Sequence, residues 1–299
     1  MKKWIGTMFL MTLMHTAFAQ DFKKVETGLL LNNFEVAKTE YEKAVAKKPS
    51  IETTAEGYYW KSKIYAGLSK DPAAKYPDAF DKLLKSLNDY IKADPEFTIA
   101  IKSGQEPFFE VYIKSFKDGV ATFGEKKWKE AAANFDRGVV LSDIIFSKGW
   151  STNKQPFDTT TLMYAGYANQ NAGNDDLTIK YYTRMINANM KTPELLDMYK
   201  FVLIKAAEKK DKALFDQYYT ISEKNYPEEK WFEFRADYID KNYTAEEKVA
   251  NYDAQVAANN INETECQMYG DMFMASRNVD GLSDDKANFY LDKAADAYM

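Results

Sequence analysis

The chain has little of the side-chain chemistry that enzymes and metal sites use most. It contains one histidine, His15, and one cysteine, Cys266, among 299 residues. A single cysteine excludes an internal disulfide and a cysteine-cluster zinc site. Histidine is the commonest general base and metal ligand, and His15 lies in a segment that we expect to be cleaved. We therefore expect no catalytic residues, no metal and no cofactor.

Positive charge and arginine are scarce as well. The chain has four arginines and a net charge of −5, which becomes −7 without Lys2 and Lys3. Proteins that bind nucleic acid rely on basic patches and on arginine forks for phosphate and base edges. Here lysines alternate with acids, as in Lys126-Lys127-Trp128-Lys129-Glu130, which is typical of a solvated helix surface. The sequence therefore predicts no nucleic-acid partner.

The familiar catalytic motifs are also missing. The sequence has neither of the glycine-rich phosphate loops nor a Gly-x-Ser-x-Gly nucleophile turn. The fragment Asn278–Ser283 lacks the ligand spacing and distal glutamate of an EF-hand. One enzyme hypothesis stays open, an all-α carbohydrate-active hydrolase that uses paired Asp or Glu residues. Against it, the longest loop, 148–158, carries only Asp158.

Adjacent acidic residues resemble catalytic pairs but have another interpretation. They fall at predicted helix starts, where the helix dipole favours negative charge. Neighbouring residues on a helix point about 100° apart, which makes them poor dyads. We interpret them as helix-start residues: Asp175-Asp176, Glu228-Glu229, Glu246-Glu247 and Asp284-Asp285.

No apolar run is long enough to span a bilayer, which takes about 20 residues. The first residues instead have the layout of a secretory signal peptide. Met1-Lys2-Lys3 is basic, residues 4–14 are mostly apolar, and Ala17-Phe18-Ala19 fits a cleavage site. The sequence therefore predicts a signal peptide over 1–19 and an exported domain over 20–299. We expect that domain in the periplasm or outside the cell, without a transmembrane segment.

A spaced pattern does recur along the chain. It consists of a small residue, an aromatic four later, a small residue three after that, then proline or an acid. It reads Ala37-Tyr41-Ala44-Pro49 and Ala131-Phe135-Gly138-Asp143, with looser versions at Leu83-Leu87-Tyr90-Pro95 and Thr178-Tyr182-Met185. A period of roughly 30–45 residues indicates stacked helical hairpins.

Helical periodicity and helix-stop residues predict an all-α fold without strands. Expected N-caps are Thr192, Thr244 in a capping box with Glu247, and Ser283. The pattern predicts about fourteen helices in seven hairpins: 22–31 and 34–48, 52–69 and 79–93, 105–123 and 126–147, 159–172 and 175–189, 193–209 and 211–225, 229–241 and 244–258, 263–277 and 284–297.

The repeated residues resemble the tetratricopeptide repeat (TPR) family. Small residues stand where the two helices of a unit would cross, and aromatics where neighbouring units would interlock. The third hairpin matches best and the first and fourth follow, although the first has Val25 at the place of Gly119. The residues that carry the resemblance are Ala37, Tyr41, Ala44, Gly119, Trp128, Ala131, Phe135, Gly138, Gly166, Gly173 and Tyr182.

The resemblance implies a right-handed solenoid of about seven antiparallel hairpins. A fold of this kind does not by itself indicate a particular function. The fifth and sixth hairpins keep the helical period but largely lose the motif. We expect most aromatic residues of the helices to fill the core.

The main functional hypothesis is a non-catalytic scaffold that binds a protein or peptide on the concave face of the stack. Tyr167, Gln170 and Asn171 are expected to point to that face. Trp150 and Phe157 are expected as exposed loop aromatics that mark a contact patch. The alternative is a subunit of an envelope assembly or secretion complex. It is suggested by the weak motif in the fifth and sixth hairpins and by the apolar residues at 294–299.

Overall fold

The computed structural model describes residues 22–71, 73 and 75–299. The predicted signal peptide and His15 lie outside the described residues. Within the described part the chain forms fifteen α-helices and two short 3-10 helices, with no strand. The expectation of an all-α fold is therefore confirmed.

The described residues divide into two compact units, which we call unit 1 (up to Ala172) and unit 2 (from Gly173 to Met299). Unit 1 contains α1 (Lys23–Leu30), α2 (Phe34–Lys47), α3 (Ala55–Leu68), α4 (Ala79–Ala93), α5 (Thr98–Ser103), α6 (Glu106–Gly124), α7 (Trp128–Ser147) and α8 (Thr159–Ala172). Unit 2 contains α9 (Asp175–Asn187), α10 (Leu196–Glu208), α11 (Lys212–Asn225), α12 (Trp231–Asn242), α13 (Ala245–Ala257), α14 (Glu263–Arg277) and α15 (Asp284–Tyr298). The 3-10 helices are Pro49–Thr53 and Pro193–Leu195.

All fourteen predicted helices are present, and their ends differ from the predicted ends by at most three residues. The short helix α5 was not predicted. Its origin is a buried carboxylate, because Asp94 accepts hydrogen bonds from the Tyr90 hydroxyl (2.9 Å) and the Ile99 N–H (3.1 Å). Burial raises the pKa of Asp94, but these bonds and one from Thr98 outweigh it and leave the pKa below its ordinary value. This network draws the chain into α5.

The helix caps follow the sequence closely. Thr244 and Glu247 form the predicted capping box, with the Thr244 N–H donating to Glu247 at 2.8 Å. Ser283 accepts from the Lys286 N–H at 3.4 Å. Thr192 occupies an N-cap position, but its side chain makes no capping hydrogen bond.

Three of the four acidic pairs lie in the first turn of a helix as predicted, which supports their interpretation as dipole partners. The prediction is wrong for Glu228-Glu229, because α12 begins only at Trp231 and the pair lies in the turn before it. Glu229 instead forms an ion pair with Lys200 at 3.0 Å.

Helix packing repeats a simple scheme inside each unit. We call α1, α3, α6, α10, α12 and α14 first helices, and α2, α4, α7, α11, α13 and α15 second helices. First and second helices of one hairpin pack together at α1–α2, α3–α4, α6–α7, α10–α11 and α14–α15. Four second helices also pack on the first helix that follows them, at α2–α3, α4–α6, α11–α12 and α13–α14.

Successive first helices also touch each other. The contacts are α1–α3 and α3–α6 in unit 1, and α10–α12 and α12–α14 in unit 2. Among the described residues, no two successive second helices contact each other as extensively as these first helices do. One hairpin is irregular, since α12 packs on α10, α11 and α14 rather than on α13. The helices α8 and α9, predicted as the fourth hairpin, fall in different units.

The closest crossings use glycine. A Cβ on Gly119 would lie 2.7 Å from the Phe135 ring, so α6 and α7 could not keep this distance with a larger residue. In the first hairpin, a Cβ on Gly28 would lie 2.9 Å from the Ala37 nitrogen. The glycine at the helix crossing of the first hairpin is therefore Gly28. The sequence comparison had aligned Val25 with Gly119 and so did not identify it. Among the other small and aromatic residues of the pattern, Ala44 and Trp128 are half-buried and Gly173 is exposed. The buried ones are Ala37, Tyr41, Ala131, Phe135, Gly138, Gly166 and Tyr182.

Gly119→Ala is expected to destabilise unit 1, because the added methyl group overlaps the buried Phe135 ring. Overpacking of this kind costs about 1–3 kcal/mol. The matched control is Gly124→Ala at the end of the same helix, where a Cβ would meet nothing within 4 Å. We expect the thermal unfolding midpoint, followed by circular dichroism, to fall for Gly119→Ala and to stay or rise slightly for Gly124→Ala. Equal midpoints for the two variants would show that the crossing is not tightly packed.

Candidate functional site

Three of the predicted partner-binding residues lie together on α8. Tyr167 is half-buried, while Gln170 and Asn171 are exposed. The Asn171 side-chain amide donates to the Tyr167 carbonyl oxygen at 2.8 Å, which fixes one residue against the other. Gln170 and Asn171 are accessible to a partner, as their predicted role requires.

The two predicted loop aromatics are not exposed. The Trp150 ring centroid lies 5.9 Å from that of Phe97 and 5.1 Å from that of Phe108, both in edge-on geometry. Phe157 is only 7% exposed. The expectation of exposed aromatics on the loop 148–158 is therefore wrong. The loop turns these rings inward because edge-to-face contact and burial stabilise them more than water does.

The single carboxylate of this loop has a structural role. Asp158 accepts hydrogen bonds from the Tyr112 hydroxyl at 2.5 Å and from the Thr161 N–H at 3.1 Å. Burial, and then the bond to Asp158, raises the pKa of Tyr112 to about 12. The carboxylate thus ties α8 to α6, beside a pocket of about 190 Å³.

Other chemistry is sparse in the described part of the chain. Cys266 is a half-buried free thiol. Between residues 22 and 299, leaving out 72 and 74, no three His, Cys, Asp or Glu side chains gather closely enough to hold a metal ion. No helix in the same part is long and apolar enough to cross a membrane.

A surface depression in unit 2 lies between the first helices α12 and α14. We call it the α12–α14 groove. Its volume is about 440 Å³, within the range of known ligand pockets. It is lined by Phe232, Glu233, Ala236, Asp237 and Asp240 of α12 and by Met268, Asp271, Met272 and Ala275 of α14.

Helical spacing separates the groove into an apolar floor and an acidic rim. Phe232 and Ala236 are four residues apart on one side of α12, as Met268 and Met272 are on α14. Met272 is 7% exposed and the other three are half-buried. The acidic rim residues Glu233, Asp237, Asp240 and Asp271 are all exposed. The arrangement suits an apolar group that is flanked by positive charge.

Nearby groups hold the rim acids in place. Lys241 Nζ lies 2.8 Å from Asp237, and Lys248 Nζ lies 2.6 Å from Asp240. Glu233 has a looser partner in Lys230 at 3.9 Å. Asp271 accepts a hydrogen bond from the Tyr298 hydroxyl at 2.6 Å.

A second depression of about 330 Å³ adjoins the groove and shares Phe232 with it. Its lining includes Tyr219, whose ring lies 3.9 Å below the Arg235 guanidinium. Glu265, also in the lining, is the partner of Asn262 in the capping box that starts α14. This depression is more polar than the groove and widens the accessible surface between α12 and α14.

The sequence did not predict the groove. The sixth hairpin, which contains α12, largely lacks the TPR-like motif, so the motif did not indicate which sides of α12 and α14 face each other. The available signal was the acidic spacing of Glu233, Asp237 and Asp240 on one face of α12. No protein-family model, curated protein or solved structure matches this chain. The groove therefore has to be interpreted from its own residues.

Trp150→Ala is expected to lower the stability of unit 1 rather than only weaken a contact surface. A fully buried tryptophan costs about 3–5 kcal/mol when truncated to alanine, and we expect a somewhat smaller loss for this half-buried ring. Trp150→Phe should retain most of the stability, because it keeps a ring against Phe97 and Phe108. Leu31→Ala, at a side chain that is 73% exposed, is the neutral control. An unchanged urea midpoint for Trp150→Ala would contradict the packing role.

Proposed function

We propose that this chain is a non-catalytic interaction scaffold that acts outside the cytoplasm. It would hold a protein or peptide partner on the exposed sides of its first helices. The observation that carries the proposal is the contact between successive first helices, α1–α3–α6 in unit 1 and α10–α12–α14 in unit 2. Such contact places their exposed sides next to one another and makes an extended surface.

This packing supports a TPR-like, right-handed solenoid. In solenoids each hairpin touches only its neighbours, and the small rotation between hairpins creates a concave binding surface. The buried pattern residues and the glycine crossing at Gly119 are what such hairpins need. Export is supported by the basic start, apolar run and cleavage-site pattern of residues 1–19.

A second candidate, a subunit of an envelope assembly, is favoured by the surface of α15. Leu291, Ala295 and Tyr298 are all exposed and recur at the spacing of one helix face. Leu291 is 39% exposed and Tyr298 is 49% exposed. A stripe of this kind suits a permanent contact with another subunit.

A photo-reactive residue placed at single positions in living cells tests the proposal. We choose Gln170 on α8, one of the predicted partner-binding residues, and Ala275 on the first helix α14; the matched positions on second helices are Gln217 and Ala254, all four exposed. We expect the same partner adduct from Gln170 and Ala275 and none from Gln217 and Ala254. Adducts from Ala295 alone would favour the assembly-subunit candidate.

Two outcomes would contradict the scaffold proposal. One is adduct formation from the second-helix positions only. The other is the absence of adducts at all five positions, although each variant is produced and exported like the native chain. Mass spectrometry of the adducts identifies the partner.

A further inference from the structure

The negative charge of the chain is concentrated in its last 77 residues, 223–299, which include the α12–α14 groove. Residues 223–299 contain 17 acidic and eight basic side chains, a net charge of −9. Residues 22–172 contain 20 acidic and 22 basic side chains, a net charge of +2. The groove lining itself contains four acids and no basic residue. A fixed charge difference of this size attracts partners of opposite sign to one part of the chain.

The lysines near the rim do not remove this preference. Lys241 and Asp237 are 56% and 47% exposed at their side chains, and an ion pair so exposed to water is weak. A cation from a partner can therefore replace Lys241. Asp271 has a hydroxyl, not a lysine, as its hydrogen-bond donor. Asp240 is different, because the stem of its partner Lys248 is almost fully buried and keeps the ammonium group beside it.

The floor of the groove adds an apolar component. Met268 and Met272 are flexible and polarisable, and methionines of this kind adapt to side chains of different shape. Phe232 and Ala236 continue the apolar surface on α12. From Phe232 to Asp240 the groove follows α12 for about 12 Å, at 1.5 Å per residue. This length accommodates an apolar side chain with one basic residue on either side.

We propose that the α12–α14 groove binds a basic segment of a partner protein, in which an apolar side chain sits on Met268 and Met272 and flanking lysines or arginines meet Asp237 and Asp271. The proposal rests on the function proposed above and specifies the chemistry of the partner. Electrostatic complementarity supplies specificity and a fast approach, and the apolar anchor supplies retention.

Fluorescence anisotropy with labelled 12-residue peptides tests this proposal on the whole exported chain. The probe peptide alternates leucine with lysine, and two further peptides replace every lysine by glutamine or by glutamate. We expect the lysine peptide to bind at least tenfold more tightly than the glutamine peptide, and the glutamate peptide not to bind. The affinity for the lysine peptide should fall as salt rises.

Two double variants of equal charge change separate the groove from general surface charge. Asp237→Asn with Asp271→Asn is expected to weaken binding of the lysine peptide about tenfold. Asp292→Asn with Asp296→Asn removes two exposed acids of α15 outside the groove lining, and should weaken binding less than twofold. Met268→Ala should weaken it about threefold to fivefold without changing its salt dependence.

Specific results would overturn the inference. These are equal affinity for the lysine and glutamine peptides, or equal losses in the two double variants while both keep the native unfolding midpoint. Failure here together with first-helix adducts in the crosslinking experiment would leave the scaffold function intact and reject only the basic partner. Failure of both experiments would reject the scaffold function itself.

Discussion

The structure depends on close crossings of helices at residues too small to hold them apart. At Gly119 the ring of Phe135 occupies the space that a Cβ would need, and at Gly28 the backbone of Ala37 does so. Helices that approach this closely bury the ring on one side and leave an apolar face on the other. The first helix of the next hairpin covers that face, as α3 covers α2 and α6 covers α4. This requirement orders the hairpins along each unit.

The same requirement produces the surface for which we propose partner binding. The second helices α2, α4 and α11 pack between their own first helix and the next one, whereas first helices that touch one another bring their exposed sides together. Between α12 and α14 these sides open into a groove with an apolar floor and an acidic rim. Recognition by a surface of this kind needs no reactive group, which agrees with a sequence so poor in histidine and cysteine. In the proposed role, the acids that line it act through charge and position.

Much of the fold could be predicted from the sequence, because its signals are local. Glycine and proline breaks and the capping residues determined fourteen helices, and capping at Thr244 was predicted to the residue. Features that depend on tertiary contact were missed. Helix α5 forms because the buried Asp94 carboxylate accepts hydrogen bonds from Tyr90 and Ile99. Trp150 faces inward because its ring packs edge-on against Phe97 and Phe108. The groove depends on the register between α12 and α14. The TPR-like motif is largely absent from the sixth hairpin and therefore does not predict this register.

Cysteine labelling of the chain in its native cells tests the central claim most directly, because Cys266 is the only native thiol. In a Cys266→Ser background, single cysteines replace three first-helix residues, Ile113, Val120 and Ile204, and three second-helix residues, Val36, Val140 and Val256. All six side chains are 41–55% exposed. If a partner covers the first helices, maleimide labelling in cells, relative to purified protein, slows severalfold on the first helices and stays unchanged on the second helices. Equal slowing in both groups, or slowing on the second helices alone, would contradict it.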